Sequence, residues 1–264
     1  MRKIYICKSE GILHDKKELA QGIFRYIFPP AKETHSCGNS IISVIDGVDA
    51  VLIDAAFEGE ARQVFEDLEA NGIVVKKIII SHFHDDHMEG VKVFKGATVY
   101  GSYLFKNTLN LYTPKSEHGI YTPTILIDEP YALTFGKNKL TLILIQGHSE
   151  CTLLININGQ FLHVSDEVIL SNEGRLSLPC NDGLEQGKTQ LESLNKLKDY
   201  HGLTFIPSHG FELDESRFQE VVQNLCIYLN FIIMSNGDIV YKDAVKDCDC
   251  SFLHATWHEG NCRK

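Results

Sequence analysis

The sequence predicts an α/β fold, one domain with helices outside and β-rich layers inside. Three observations carry that expectation. A strand, an amphipathic helix and a second strand follow one another between residues 49 and 80; five short β-rich runs succeed each other between 124 and 164; and stretches of helical periodicity lie at 185–200 and 215–234. No repeat, low-complexity run or linker divides the 264 residues, and a hydrophobic content of 44% supports a substantial core.

In chain order, residues 21–28 alternate weakly and run into Pro29-Pro30, which should end a first strand. Residues 39–45 and 49–53 form a hairpin across Asp46-Gly47-Val48, where Asp-Gly suits a tight turn. The second of these strands ends at Asp54. Ala61, Val64, Phe65 and Leu68 space residues 58–71 as a helix, with Gly72 at its C-terminal cap position. A strand at 75–80 then completes a βαβ unit, the crossover that parallel strands need. Residues 91–95 and 97–100 read as a further helix and strand, 103–111 as a short helix, and 112–122 as an exposed loop bordering a pocket. The strands 124–127, 130–134, 139–145, 152–157 and 160–164, turning at Gly136-Lys137-Asn138 and Asn158-Gly159, should be largely antiparallel. Leu191, Leu194 and Leu197 give residues 185–200 a buried helical face, and 203–206 is the last strand. A final helix over 215–234 buries Phe218, Val221, Val222, Leu225 and Leu229.

A net charge of -10 with no basic run argues against a nucleic-acid groove. The longest apolar stretch, Leu225 to Met234, is interrupted by Asn230 and too short to span a membrane. The N-terminus begins basic, but Lys8 breaks its apolar run too early for a signal peptide, so the expected location is cytoplasmic. The eight cysteines have no framework spacing, and thiols rather than disulfides are expected.

The chemistry concentrates in Ser81 to Gly90, S-H-F-H-D-D-H-M-E-G. His82 and His84 alternate, so in an extended segment leaving a strand they point the same way and can share one metal ion. After one more residue, Asp86 and His87 can be turned toward a second ion beside the first. Such a turn can also be a merely solvated loop. Its position at the C-terminal end of an apolar strand is against this, since open α/β sheets place their sites there. Four more polar residues stand at strand ends: Asp54; His148 in Q-G-H-S-E-C; Asp166 in H-V-S-D-E; and His209 in P-S-H-G. Singly, each is more often a cap or a hydrogen-bonded structural residue than a ligand.

Together, H-x-H-x-D-H, the Gly-His, the strand-end Asp and the Pro-x-His-Gly resemble the metallo-β-lactamase superfamily in the family's own order. The resemblance covers about residues 20–212. It implies a four-layer αβ/βα sandwich as a single domain over 1–264, with a helical extension at 213–264. It also implies that His82, His84 and His148 hold one metal, that Asp86, His87 and His209 hold a second, that Asp166 bridges the two and that Asp54 supports the ligands from behind. The metal would be zinc, two ions, with manganese or iron as substitutes. Three neutral imidazoles leave a cation's charge undiminished and a position open, which favours hydroxide near neutral pH. A metal-bridging hydroxide would then attack a small ester, thioester or lactone, with Asp86 or a metal-bound water placed to protonate the leaving group.

The full ligand set is closest to glyoxalase-II-like thioesterases, lactonases and related phosphodiesterases. His87 and Asp166 each set it apart from one group of zinc β-lactamases, and His84 from flavo-diiron proteins. Three turns depart from the family's pattern: Asp54-Ala55-Ala56 for Asp-x-Gly, Glu89 for the Gly before Gly90, and Glu150-Cys151 for Pro-Gly after His148. The alternatives to an esterase are a phosphodiesterase of the same fold and a metal-binding sensor or binding module without turnover. The partner expected is a small-molecule substrate, with neither nucleic acid nor membrane. In the tail, Cys248, Cys250, His254, His258 and Cys262 either bind metal or line the pocket, or are ordinary thiols and histidines around Trp257, the reading preferred.

Overall fold

The computed structural model describes residue 13, residues 15–30 and residues 37–264. The basic N-terminal start through Lys8, and Cys7 with it, lie outside them. Two compact units emerge, one running to Ile127 with Thr134–Asn138, the other formed by Asp128–Leu133 and Lys139–Lys264.

The first unit holds a seven-stranded sheet in sequential order: β1 (Asp15–Ala20), β2 (Ile23–Ile27), β3 (Ser40–Asp46), β4 (Asp49–Ile53), β5 (Val74–Ile79), β6 (Thr98–Ser102) and β7 (Ile125–Ile127). Neighbours are antiparallel from β1 to β4 and parallel from β4 to β7. The expected β3–β4 hairpin turns at Gly47, whose φ of 62° is the left-handed conformation that glycine adopts freely. Helix α1 (Glu58–Ala70) makes the crossover from β4 to β5 and buries Ala61, Val64 and Leu68. Its buried Glu60 carboxylate accepts from the Phe57 amide at 3.2 Å and from Asn39 at 2.8 Å, which closes the N-terminal turn.

Four details differ from expectation here. β1 precedes the predicted first strand; its sequence, DKKELA, is mostly exposed and lacks the apolar alternation that marks a strand. The helix expected at 91–95 is a single 3₁₀ turn at Glu89–Val93. Residues 112–122 are not a plain loop: after α3 (Phe105–Tyr112) come a 3₁₀ turn at Lys115–Glu117 and α4 (His118–Tyr121). Finally, 124–127 does not open the antiparallel half but pairs as β7, in parallel, with β6. Three residues carry too little pattern to reveal a partner.

The second unit's sheet has the order β12-β11-β10-β9-β8, from β8 (Tyr131–Phe135), β9 (Asn138–Leu144), β10 (Leu153–Ile157), β11 (Phe161–Ile169) and β12 (Thr204–His209). β9, β10 and β11 are antiparallel neighbours, and β11 pairs with β12 in parallel. Leu154, Leu162 and Val164 share a core with Leu194 and Leu197 of α5 (Leu184–Leu197) and with Phe218, Val221, Val222, Leu225 and Leu229 of α6 (Glu215–Met234). α6 starts at Asp214, whose side chain accepts from the Arg217 amide at 2.8 Å, a good N-cap. Two short helices follow, α7 (Tyr241–Ala244) and α8 (His258–Asn261). No helix of the described residues is long and apolar enough to cross a membrane.

One difference here bears on function. β11 was expected to stop before Asp166, but it runs to Ile169 and buries all nine of its residues, Ser165, Asp166 and Glu167 among them. Ser165 has φ 53°, and the pairing with β12 slips around it. Such a bulge re-aims the next side chain without ending the strand.

Candidate metal centre

The first unit gathers five of the predicted site residues where β4 and β5 end. Asp54 leaves β4 at φ 59° and is fully buried. Its Oδ1 accepts from the Ser81 amide at 2.7 Å, and its Oδ2 from the Ser81 hydroxyl at 2.8 Å and from His87 Nδ1 at 3.0 Å. Beyond Ser81 the chain bends at His82 and reaches extended dihedrals at His84, and His82 Nε2 comes within 3.0 Å of His84 Nδ1. α2 (Asp85–Met88) then turns Asp86 and His87 back, with His87 Nε2 3.5 Å from Asp86 Oδ1. The segment is tied down at both ends: Ala55 donates to the His87 carbonyl and Gly90 to that of Ala56, each at 2.8 Å. Burial, and then the Asp86 carboxylate alongside, push Asp85 up to about 7.

The second unit gathers the other three. His148 lies in the turn after β9, Asp166 on the bulge of β11, and His209 ends β12. Asp166 Oδ2 is 3.3 Å from His209 Nε2 and 3.8 Å from His148 Nε2. Gly210 continues the chain at φ 89°, where an added Cβ would come within 2.5 Å of Leu170, so only glycine allows the turn behind His209.

The donor chemistry of both clusters suits a divalent cation. Because Asp54 accepts from His87 Nδ1, the ring presents its lone pair at Nε2, facing the Asp86 carboxylate. Electron-rich atoms side by side in a buried place are relieved by a cation. The ligand atoms of His82 and His84 lie within 4.8 Å of each other, as do those of Asp86 and His87. Imidazole nitrogen with carboxylate oxygen is a donor set for zinc, and also for manganese or iron.

A model of the metallo-β-lactamase superfamily matches residues 37–209, about two thirds of the chain. The chain belongs to the metallo-β-lactamase superfamily. A solved metallo-β-lactamase from Pontibacter korlensis shares the fold at a TM-score of 0.63, with 18% identity over 80% of this chain and 99% of that one. Curated relatives in sequence are hydroxyacylglutathione hydrolases. That of Shewanella baltica OS155 is 25% identical over 61% of this chain and 57% of its own length. That of Haemophilus ducreyi is 22% identical over 68% and 69%. The chain thus spans little more than half the length of the first of these superfamily relatives.

Beside the candidate ligands stand residues that the sequence did not single out. Ser81 is held by both oxygens of Asp54, and the Tyr112 ring lies 4.5 Å from that of His84. Glu167, fully buried, accepts from the His148 amide at 2.7 Å; burial pushes it up to about 8, against the downward pull of that amide. Gln186 of α5 donates to the His148 carbonyl. A glutamate directly after a predicted ligand was a usable signal; Gln186, 38 residues from His148, had none. In the tail, His254 is left-handed at φ 58°, so 248–262 is no continuous helix. His258 Nδ1 meets the Tyr228 hydroxyl at 3.0 Å and Nε2 the Ile239 carbonyl at 2.9 Å, while Cys248 donates to the Asn224 carbonyl. Among the described residues, none of the tail's five joins a ligand group. His258 and Cys248 fasten the C-terminal segment to α6.

Proposed function

We propose that this protein is a metal-dependent hydrolase of a small ester, thioester or lactone, working with two divalent cations, zinc in the first instance. His82, His84 and His148 would hold one and Asp86, His87 and His209 the other, with Asp166 shared. The observation that carries the reading is the pair of clusters: buried imidazoles set against carboxylates at 3.3 to 3.8 Å, at strand ends, in a chain of this superfamily. Bound there, divalent cations supply Lewis acidity toward a carbonyl oxygen and make water acidic near neutral pH. Asp54 fixes the His87 tautomer and so aims its lone pair. The Asp86 carboxylate, at the partly open edge of its cluster, would take the proton released by the attacking water on the oxygen not turned to His87 and return it to the leaving group. The relatives' name specifies an acylglutathione, which supports a thioester within this class.

The test joins metal content to turnover. After dialysis against metal-free buffer, the wild type should retain close to two metals per chain and Asp166→Ala close to one, since that variant lacks the shared carboxylate. On a panel of esters, thioesters, lactones and phosphodiesters with zinc, manganese or iron added, a carbonyl substrate should turn over best and a chelator should abolish the rate. Preference for a phosphodiester would move the protein to a different substrate class. Metal uptake with no turnover on any member would make it a binding module.

A further inference from the structure

His148 is held from both sides of its backbone by side chains no catalytic step requires. Its N–H donates to Glu167 Oε1 at 2.7 Å and its carbonyl accepts from Gln186 Nε2. Gln186 is itself anchored, its Oε1 accepting from the Asp182 amide at 2.7 Å. The preceding residue is cut to fit: a Cβ on Gly147 would lie 2.1 Å and 2.2 Å from the two Glu167 carboxylate oxygens. A carboxyl group buried at 1% exposure is costly unless both of its oxygens are partnered, and the His148 amide, worth about 0.5–1.5 kcal/mol as one backbone hydrogen bond, serves Oε1 only. A purely structural acceptor for one amide needs no carboxylate and no glycine beside it.

We propose that Glu167, seated in the space left by Gly147 and seconded by Gln186, is a positioning residue that locks the 146–149 turn so that the His148 ring is presented to its metal. This rests on the metal-dependent reading above. It differs from the usual way of orienting a ligand histidine, a hydrogen bond to the far ring nitrogen, because here the hold is on the ligand's own peptide. The turn's own bonds join Ile145 and Ser149 to Cys151 and Thr152 rather than to His148: Ser149 N–H donates to Thr152 Oγ1 at 3.1 Å, the Thr152 amide to the Ser149 carbonyl at 3.2 Å, the Cys151 amide to Ser149 Oγ at 3.4 Å and the Ile145 amide to the Thr152 carbonyl at 2.9 Å. Without Glu167, His148 would sample orientations that its metal has to select, and affinity falls by that fraction.

The experiment measures zinc affinity of the full chain by competition with a chromogenic chelator, beside the melting temperature of the chelated, metal-free protein. Glu167→Ala should bind zinc on the order of 10- to 100-fold more weakly, as expected for groups that orient a metal ligand. Glu167→Gln keeps an acceptor oxygen and should bind close to wild type. Gly147→Ala should weaken binding by displacing the carboxylate, and Gly147→Ala with Glu167→Ala together should be no weaker than Glu167→Ala alone, a non-additivity that marks one shared mechanism. A merely structural role would lower the metal-free melting temperature of Glu167→Ala and leave zinc affinity unchanged, which overturns the proposal. Additive losses in the double variant, or a Glu167→Gln as weak as Glu167→Ala, overturn it also. A wild type that takes up no zinc sinks the metal-dependent reading and this proposal with it. Wild-type binding beside an undiminished Glu167→Ala sinks the proposal alone.

Discussion

At Ala56, where the family's usual residue is glycine, two costs oppose each other. Its φ of 50° is left-handed, which costs an L-residue roughly 1–2 kcal/mol. Its methyl group is fully buried, which returns about 0.8 kcal/mol, and alanine spares the roughly 0.5–1 kcal/mol of extra backbone entropy that glycine loses on folding. The sums nearly cancel, so Ala56→Gly should change stability by less than about 1 kcal/mol in denaturant melts. A loss above roughly 2 kcal/mol, the scale of an unrelieved cavity, would show that the left-handed conformation costs nothing here. Asp54 is strained in the same sense at φ 59°, but its side chain collects three hydrogen bonds that tie β4, Ser81 and His87 together. The local conformation is held by the site it serves.

Between elements, one close approach is that of the Glu89–Val93 turn to the start of α1. A Cβ on Gly90 would lie 2.0 Å from the Ala55 carbonyl oxygen and 2.4 Å from the Ala61 Cβ, both backbone-fixed and unable to yield. Gly90→Ala should therefore cost about 1–3 kcal/mol by overpacking, and it should loosen metal binding too, because the same residue ties the His82–His87 segment to Ala56. Wild-type stability in Gly90→Ala, read from urea unfolding, would mean this contact is not as close as described. Elements with a continuous apolar face were legible in the sequence: α1, α6 with its bounds at 215 and 234, and the β3–β4 hairpin through its Asp-Gly turn. The candidate ligands at strand ends could be picked out for the same reason, since polar residues following an apolar run stand out. β1 was not, because an exposed edge strand needs no apolar alternation, and the far half of β11 was not, because burying Ser-Asp-Glu contradicts the pattern by which buried strands are recognised. Glu167, in that same half, was legible only through its place directly after Asp166.

On the scale of the whole molecule, the acidic protons held in the interior make alkaline pH the weak side of the fold. Burial, and then Asp67, which accepts from its hydroxyl at 2.8 Å, raise Tyr26 well above the usual phenol range; burial does the same to Tyr228. Burial also pushes the thiols of Cys248 and Cys250 up to about 12 and about 11. An unfolded chain releases these protons near about 8.5 for thiols and 10 for phenols, whereas the folded chain retains them. The folded state thus binds more protons across that window, so the stability these phenols and thiols contribute is intact below about pH 8.5 and falls as pH rises through it. Net charge works in the same direction, because a chain at -10 near pH 7 repels itself more with every proton lost. Salt separates the two effects. Self-repulsion between surface charges is largely screened at about 1 M, where the Debye length is near 3 Å, but the cost of ionising a buried phenol is not. Melting temperatures recorded from pH 7.5 to 10.5 should therefore decline, and the decline should persist in 1 M sodium chloride and be shallower in Tyr228→Phe, which has no proton to lose. A decline that vanished in salt would assign it to surface charge alone, and a flat profile at low salt would contradict the burial of these groups.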